Sequence, residues 1–196
     1  APEGADFSAI TVGATGTAVG NYPAEFTRGT VGTVDKTEKY IVKECENGKL
    51  EITPNETEVV VTIKGNTDTK TYNGSEQSVT GYTVESISNK LYTVDNITFT
   101  GTAIAKGTDA DSYQMGLNKS QFANNSANFA NVEFVVNDGS LQINPRSVKL
   151  TSATDEKVYD GQPLTNGVVT VSGDGFVKGE GAAYNVTGSQ TNAGSS

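Results

Sequence analysis

Val59-Val60-Val61-Thr62-Ile63 is a run of five β-branched residues, closed soon after by Gly65-Asn66. Side chains branched at Cβ fit the pleated, half-buried surface of a strand, so the run predicts β structure. The same period of two continues outward from it. Tyr92, Val94, Asn96, Thr98 and Thr100 form one alternating set, with Leu91, Thr93, Asp95, Ile97 and Phe99 opposite. Ile97 and Phe99 mark the expected core face late in that strand. Val132, Phe134 and Val136 alternate, Asn137-Asp138-Gly139 tolerates the positive φ of a tight turn, and Leu141 and Ile143 resume. That pattern predicts a hairpin. Cys45-Glu46-Asn47-Gly48 predicts its counterpart earlier in the chain. The one helical candidate is Ser120-Gln121-Phe122-Ala123-Asn124-Asn125-Ser126-Ala127, about two turns at most, whose Asn content suits a crossover.

Recurrence sets the organisation. Thr67-Asp68-Thr69-Lys70-Thr71-Tyr72-Asn73-Gly74 returns as Thr154-Asp155-Glu156-Lys157-Val158-Tyr159-Asp160-Gly161, an offset of 87 residues (67 to 154). Gly48-Lys49-Leu50-Glu51-Ile52-Thr53-Pro54 returns as Gly139-Ser140-Leu141-Gln142-Ile143-Asn144-Pro145, an offset of 91 (48 to 139). Thr15-Gly16-Thr17, Thr100-Gly101-Thr102 and Thr187-Gly188-Ser189 mark a third phase. The expected division is therefore residues 1–54 as the C-terminal part of a first repeat, 55–145 as a complete repeat, and 146–196 as the N-terminal part of a third. A complete repeat of about 90 residues can bury a core unaided. It should hold roughly six or seven strands. The expected fold is all-β, in tandem β-sandwich-like modules, Ig-like or small and β-grasp-like, with at most one short helix each. Tyr72 should superpose on Tyr159, and Leu50 and Ile52 on Leu141 and Ile143, both pairs facing a core. Each such buried side chain stabilises by roughly 1.5–3 kcal/mol. The partial repeats are expected to be independent subdomains rather than halves completed by a neighbouring molecule.

Composition narrows the class. The chain holds 22 glycines, one cysteine, one methionine, no tryptophan and no histidine, with a net charge of −9. No apolar run reaches the length of a membrane span, and no signal peptide is visible. The start Ala1-Pro2-Glu3-Gly4 fits either signal cleavage or an arbitrary boundary. Cys45 cannot form an internal disulfide. Acidic balance without a Lys/Arg cluster argues against nucleic acid and anionic membranes, and suits a self-repelling monomer.

Lys157-Val158-Tyr159-Asp160-Gly161, with Lys70-Thr71-Tyr72-Asn73-Gly74, resembles the YDG/MBG-type repeats of large bacterial surface proteins. Phe122-Ala123-Asn124, Asn131-Val132-Glu133-Phe134 and Asp138-Gly139-Ser140-Leu141-Gln142-Ile143 are together similar to the end of such a repeat. The resemblance covers essentially the whole chain. It implies an extracellular, secreted or wall-attached adhesin-like protein, and it carries over no catalytic residue. The complete repeat reads Tyr-Asn-Gly in place of Tyr-Asp-Gly, which keeps the turn chemistry.

Tyr72 and Tyr159 are the ligand-binding candidates, as aromatic platforms for a glycan. The competing and preferred reading packs each ring beside its glycine turn, with the hydroxyl tying down a loop. Asp109 and Asp111 are the metal candidates, beside the cluster Asp155, Glu156 and Asp160. Calcium takes about six to eight oxygen ligands, so an Asp-x-Asp pair supplies too few, and solvated loops are preferred. Without histidine, Ser-His-Asp triads, imidazole metal sites and a Cys45-His pair are excluded. A glycosidase needs two carboxylates flanking one bond, one of them with a raised pKa, whereas the acids here sit in turns and on polar faces. Gly173-Asp174-Gly175 is followed by Phe176-Val177-Lys178 without the helix that would hold phosphate. Lys90 and Asn131 illustrate a Lys–Asn isopeptide pairing that no motif selects.

The expected function is a non-enzymatic structural or adhesion module without cofactors, acting as stalk or binding repeat. Its partner would be a glycan or protein on a host or neighbouring cell. A carbohydrate-binding repeat and an accessory domain of a large extracellular glycosidase are the alternatives.

Overall fold

A computed structural model of the chain describes residues 6–194. The strands are β1 (Val12–Gly13), β2 (Gly20–Phe26), β3 (Gly48–Ile52), β4 (Val59–Gly65), β5 (Thr67–Thr71), β6 (Gln77–Thr80) and β7 (Tyr82–Ile87). They continue as β8 (Ile97–Phe99), β9 (Ile104–Gly107), β10 (Ser112–Gln114), β11 (Phe122–Asn124), β12 (Val132–Asn137), β13 (Ser140–Asn144), β14 (Val148–Ser152) and β15 (Val169–Gly173). Helical structure among the described residues is confined to two single 3₁₀ turns, Val94–Asn96 and Lys119–Gln121. The chain is all-β.

The sheets are small, with strand orders β1-β2-β3, β12-β4-β7, β10-β13-β5, β11-β8, β6-β9 and β14-β15. Most pairs are antiparallel, but β13 runs parallel to β5, with Leu141 beside Asp68 and Ile143 beside Lys70. The opening run forms β4 and alternates as its chemistry requires: Val59, Val61 and Ile63 are fully buried between less buried neighbours.

The chain divides into two compact units. One comprises residues up to Thr62, Ser86–Thr100 and Phe122–Val135. Its core is aromatic: Tyr92 meets Phe129 edge-on at 5.2 Å, and Phe122 lies 4.9 Å from Phe99 and 5.9 Å from Phe134. The other comprises Ile63–Glu85, Gly101–Gln121 and the residues from Val136 onward. Its buried apolar residues are Ile63, Ala105, Met115, Leu117, Leu141 and Ile143.

Several local expectations are corrected. Asn137-Asp138-Gly139 does not close a hairpin, because β12 pairs in the sheet of β4 and β7 while β13 lies between β10 and β5. Asp138 redirects the chain there, its carboxylate accepting the N–H groups of Leu117 (2.8 Å), Gly116 (3.0 Å) and Gly139 (2.8 Å). Cys45-Glu46-Asn47-Gly48 does not close one either. β3 pairs with β2, and Asn47 Oδ1 accepts the Phe26 N–H at 3.3 Å.

Ser120–Ala127 is not helical beyond the 3₁₀ turn. Phe122 is buried and β11 pairs with β8. Asn124 donates to the carbonyls of Ser126 and Phe129, both at 3.0 Å, and accepts the Ser126 N–H at 2.9 Å. Such side chain–backbone bonds compete with helix. Leu50, finally, is 50% exposed where Leu141 is 0%. β13 is flanked on both edges by β10 and β5, whereas β3 has β2 alone among the described residues. Between residues 55 and 145 there are ten short strands, β4 to β13, rather than six or seven. The expected strand at Tyr92–Phe99 is also shortened, since Val94–Asn96 turns and Ile97–Phe99 alone is extended.

Candidate functional site

Tyr72 follows β5 directly, and its N–H donates to the Asn144 carbonyl at 2.8 Å, extending the ladder with β13. Asn73 Oδ1 accepts the Ser75 N–H at 2.9 Å, and Gly74 takes φ +77°. That left-handed conformation is the reason for glycine in the motif. The half-buried Tyr72 hydroxyl donates to the Glu180 carboxylate. A Cβ on Gly74 would come within 2.8 Å of Val177 Cγ1, so the turn also sits tightly on the segment carrying Glu180.

Arg146 completes this clasp. Its Nε donates to the Gly175 carbonyl (2.7 Å), Nη1 to that of Tyr72 (3.4 Å) and Nη2 to that of Asp174. The Asp174 carboxylate in turn accepts the Ser147 N–H at 2.7 Å. Tyr72, Asp109, Pro145, Arg146, Phe176 and Glu180 line an open depression of about 300 Å³. Its two most reactive polar groups are spent on each other, and its guanidinium is spent on main-chain carbonyls. The arrangement ties a loop down.

Glu180's hydrogen bond, then burial, then the charges of Glu180 and Asp109 push the Tyr72 hydroxyl above its ordinary value of 10.0. A raised folded value means the clasp contributes fully below the ordinary tyrosine range and is lost as pH rises through the folded one. Glu180→Gln should therefore bring Tyr72 ionisation back toward that of a free tyrosine in an ultraviolet difference titration. An unchanged titration would show that Glu180 does not hold the proton.

Tyr159 occupies the same motif in other surroundings. Gly161 takes φ +75°, matching Gly74, but Tyr159 is 65% exposed and Thr154–Val158 form no strand. β5 exists by pairing with β13, and the Gly-x-Leu-x-Ile-x-Pro pattern of β13 occurs only at 48–54 and 139–145. Lys157 Nζ lies 2.8 Å from Asp160 Oδ1, which also accepts the Gln162 N–H at 3.0 Å. The Lys157 bond first, then that N–H, hold the Asp160 carboxyl below the usual carboxylate range. Tyr159 borders a depression of about 250 Å³ with Asp155, Lys157, Leu164 and Gln190.

Asp109 and Asp111 are exposed. The Asp109 carbonyl accepts the Tyr113 hydroxyl at 3.1 Å, and the Asp111 carboxylate accepts the Ser112 N–H at 2.7 Å. Among the described residues no three His, Cys, Asp or Glu side chains are grouped to hold a metal ion.

Two features escaped the sequence reading. Asp35 is a buried carboxylate in a loop. Burial pushes its pKa up, but bonds from the Thr37 hydroxyl and from the N–H groups of Tyr40 (2.8 Å), Thr37 (3.0 Å) and Lys39 (2.8 Å) outweigh this and hold it well below the usual range. The second is a glycine–tyrosine device found twice. Tyr22 donates to the Ala18 carbonyl at 2.7 Å with its ring over Gly16, where a Cβ would lie 2.2 Å from ring carbons. Tyr113 donates to the Asp109 carbonyl with its ring over Gly107, where a Cβ would lie 2.0 Å away. Tyr22 pairs with Leu50 and Tyr113 with Leu141. The signal was in the sequence: Gly16 and Tyr22 precede Gly107 and Tyr113 by 91 residues, the same offset that joins Leu50 to Leu141, so Gly16 corresponds to Gly107 and not, as its Thr-Gly-Thr setting suggested, to Gly101. Comparison of the chain with known protein families, with curated proteins and with solved structures gave no match.

Proposed function

We propose that this chain is a non-enzymatic extracellular module of a bacterial surface protein, built of YDG/MBG-type repeats and serving as stalk or binding repeat. The observation that carries the reading is the recurrence of one local device, Gly16–Tyr22 and Gly107–Tyr113, at the spacing of the sequence repeat. A unit copied with its internal packing supplies length and spacing, whereas a catalytic centre needs only one site. The consumption of the Tyr72, Glu180 and Arg146 polar groups within the chain supports the same reading.

Brief trypsin treatment of intact producing cells, followed by mass spectrometry, tests it: peptides of this chain should be released without lysis. Peptides found only after lysis would overturn the proposal. A carbohydrate-binding repeat is the second reading, favoured by the exposed Tyr159 ring. Binding to a glycan array that is lost on Tyr159→Ala would move the conclusion there.

A further inference from the structure

Asn47, Asn73 and Asn166 each precede a glycine. In such a pair the glycine nitrogen can close a ring onto the asparagine carboxamide carbon, because no Cβ on the second residue crowds the approach. The three settings differ. Gly48 opens β3 opposite Ala24, and Asn47 Oδ1 accepts the Phe26 N–H at 3.3 Å, so that peptide is held in a ladder. Asn166 is half-buried, its Oδ1 accepts the Val168 N–H at 2.9 Å, and its Nδ2 donates to the Asp155 carboxylate at 3.3 Å. That carboxylate anchors the nitrogen that would have to leave and repels the negative charge that builds up during attack.

Asn73 has neither restraint. It is exposed, and among the described residues neither its Nδ2 nor the Gly74 N–H has a hydrogen-bond partner. Its Oδ1 accepts the Ser75 N–H at 2.9 Å. A main-chain donor aimed at that oxygen stabilises the oxyanion formed when the carboxamide carbon is attacked.

We infer that Asn73 is a self-modifying site whose isoaspartyl product opens the clasp between Tyr72 and Glu180. Solvent hydroxide takes the Gly74 N–H proton, the nitrogen bonds to Cγ of Asn73, and the Cγ–Nδ2 bond breaks. Nδ2 leaves as ammonia, taking a proton from water. A second water then opens the cyclic imide. Breaking its new bond to Cγ leaves aspartate, and breaking its old bond to the main-chain carbonyl leaves isoaspartate, with one more carbon in the main chain.

The products act differently on the turn. Asp160 shows that aspartate keeps it. Asp160 Oδ1 accepts the Gln162 N–H at 3.0 Å and Gly161 takes φ +75°, against 2.9 Å and +77° at Asn73 and Gly74. Isoaspartate instead lengthens the chain between two fixed points. On one side the Tyr72 N–H is bonded to the Asn144 carbonyl at 2.8 Å, and on the other a Cβ on Gly74 would come within 2.8 Å of Val177. The added carbon therefore presses on Val177. Glu180 moves with Val177, since its N–H donates to the Val177 carbonyl at 2.9 Å.

The test uses the whole chain and is independent of where the protein resides. The chain is incubated at mildly alkaline pH and body temperature, then mapped with electron-transfer fragmentation, which separates isoaspartate from aspartate. Asn73 should convert about tenfold or more faster than Asn47 or Asn166, the weight in rate of one ordinary hydrogen bond. As isoaspartate accumulates, the raised Tyr72 ionisation should fall toward that of a free tyrosine in a rapid ultraviolet difference titration, with Tyr72→Phe as reference. Asn73→Asp should keep the raised ionisation. Asn73→Ser, which retains an acceptor for the Ser75 N–H but cannot form the imide, should keep it throughout the incubation. Conversion at Asn73 no faster than at the other two sites, or isoaspartate accumulating there with the Tyr72 titration unmoved, would overturn the inference.

Discussion

Leu141→Ala should lower the unfolding free energy by about 3–5 kcal/mol, while Leu50→Ala should cost about 1 kcal/mol or less. The two leucines sit at the same place in one sequence pattern, each opposite a tyrosine, Tyr113 or Tyr22. What separates them is the second neighbour. β13 is paired on both edges and its Leu141 side chain is fully buried, so removing that side chain leaves a cavity that water does not fill. Leu50 is half exposed on an edge strand, and water fills the space it leaves. Urea unfolding followed by far-UV circular dichroism reads both. Equal losses for the two variants would show that β3 and β13 are buried alike, contrary to the sheet orders described.

Gly139→Ala should cost about 3 kcal/mol or more, the upper range for overpacking, and lower Tm by roughly 6–12 °C. Backbone conformation is not the cause. A Cβ at residue 139 would lie 2.4 Å from the Asn66 carbonyl oxygen and 2.9 Å from the Gly65 carbonyl carbon. Both obstacles are main chain, so no rotamer change relieves the collision. Gly65 meets Gly139 in the same way, and the pair marks where two backbones cross with no room for a side chain. Gly167→Ala is the control: open space surrounds that position, and its Tm should change by no more than about 1–2 °C. Comparable losses at 139 and 167 would refute the close approach.

These contrasts mark how far the sequence could be read. Period two is a local property, so the strand at Val59–Ile63, the burial of Leu141 and Ile143, and the absence of long helices all followed from it. Partner choice is not local. Asn137-Asp138-Gly139 carries every residue a hairpin turn wants, yet Asp138 spends its carboxylate on Gly116 and Leu117, and β13 takes its place between β10 and β5. Ser120–Ala127 lost its helix to the burial of Phe122 and the bonding of Asn124, neither of which is visible in spacing. Tyr72 stood out for its glycine turn, and that turn is present. Its partner Glu180 lies 108 residues away and the Arg146 that braces it lies 74 away, separations at which no motif speaks.

The parallel pairing of β5 with β13 has a consequence in time. Thr67 faces Ser140, so 73 residues (67 to 140) must be made before the first rung of that ladder can form. At typical rates of synthesis this is a wait of about 4–15 s, during which β5 has no sheet to join. An antiparallel neighbour across a short turn would have closed almost at once. The slow closing of so long a loop sets the pace for this part of the chain. Until it closes, Thr67–Thr71 remains open to extended segments of other nascent chains.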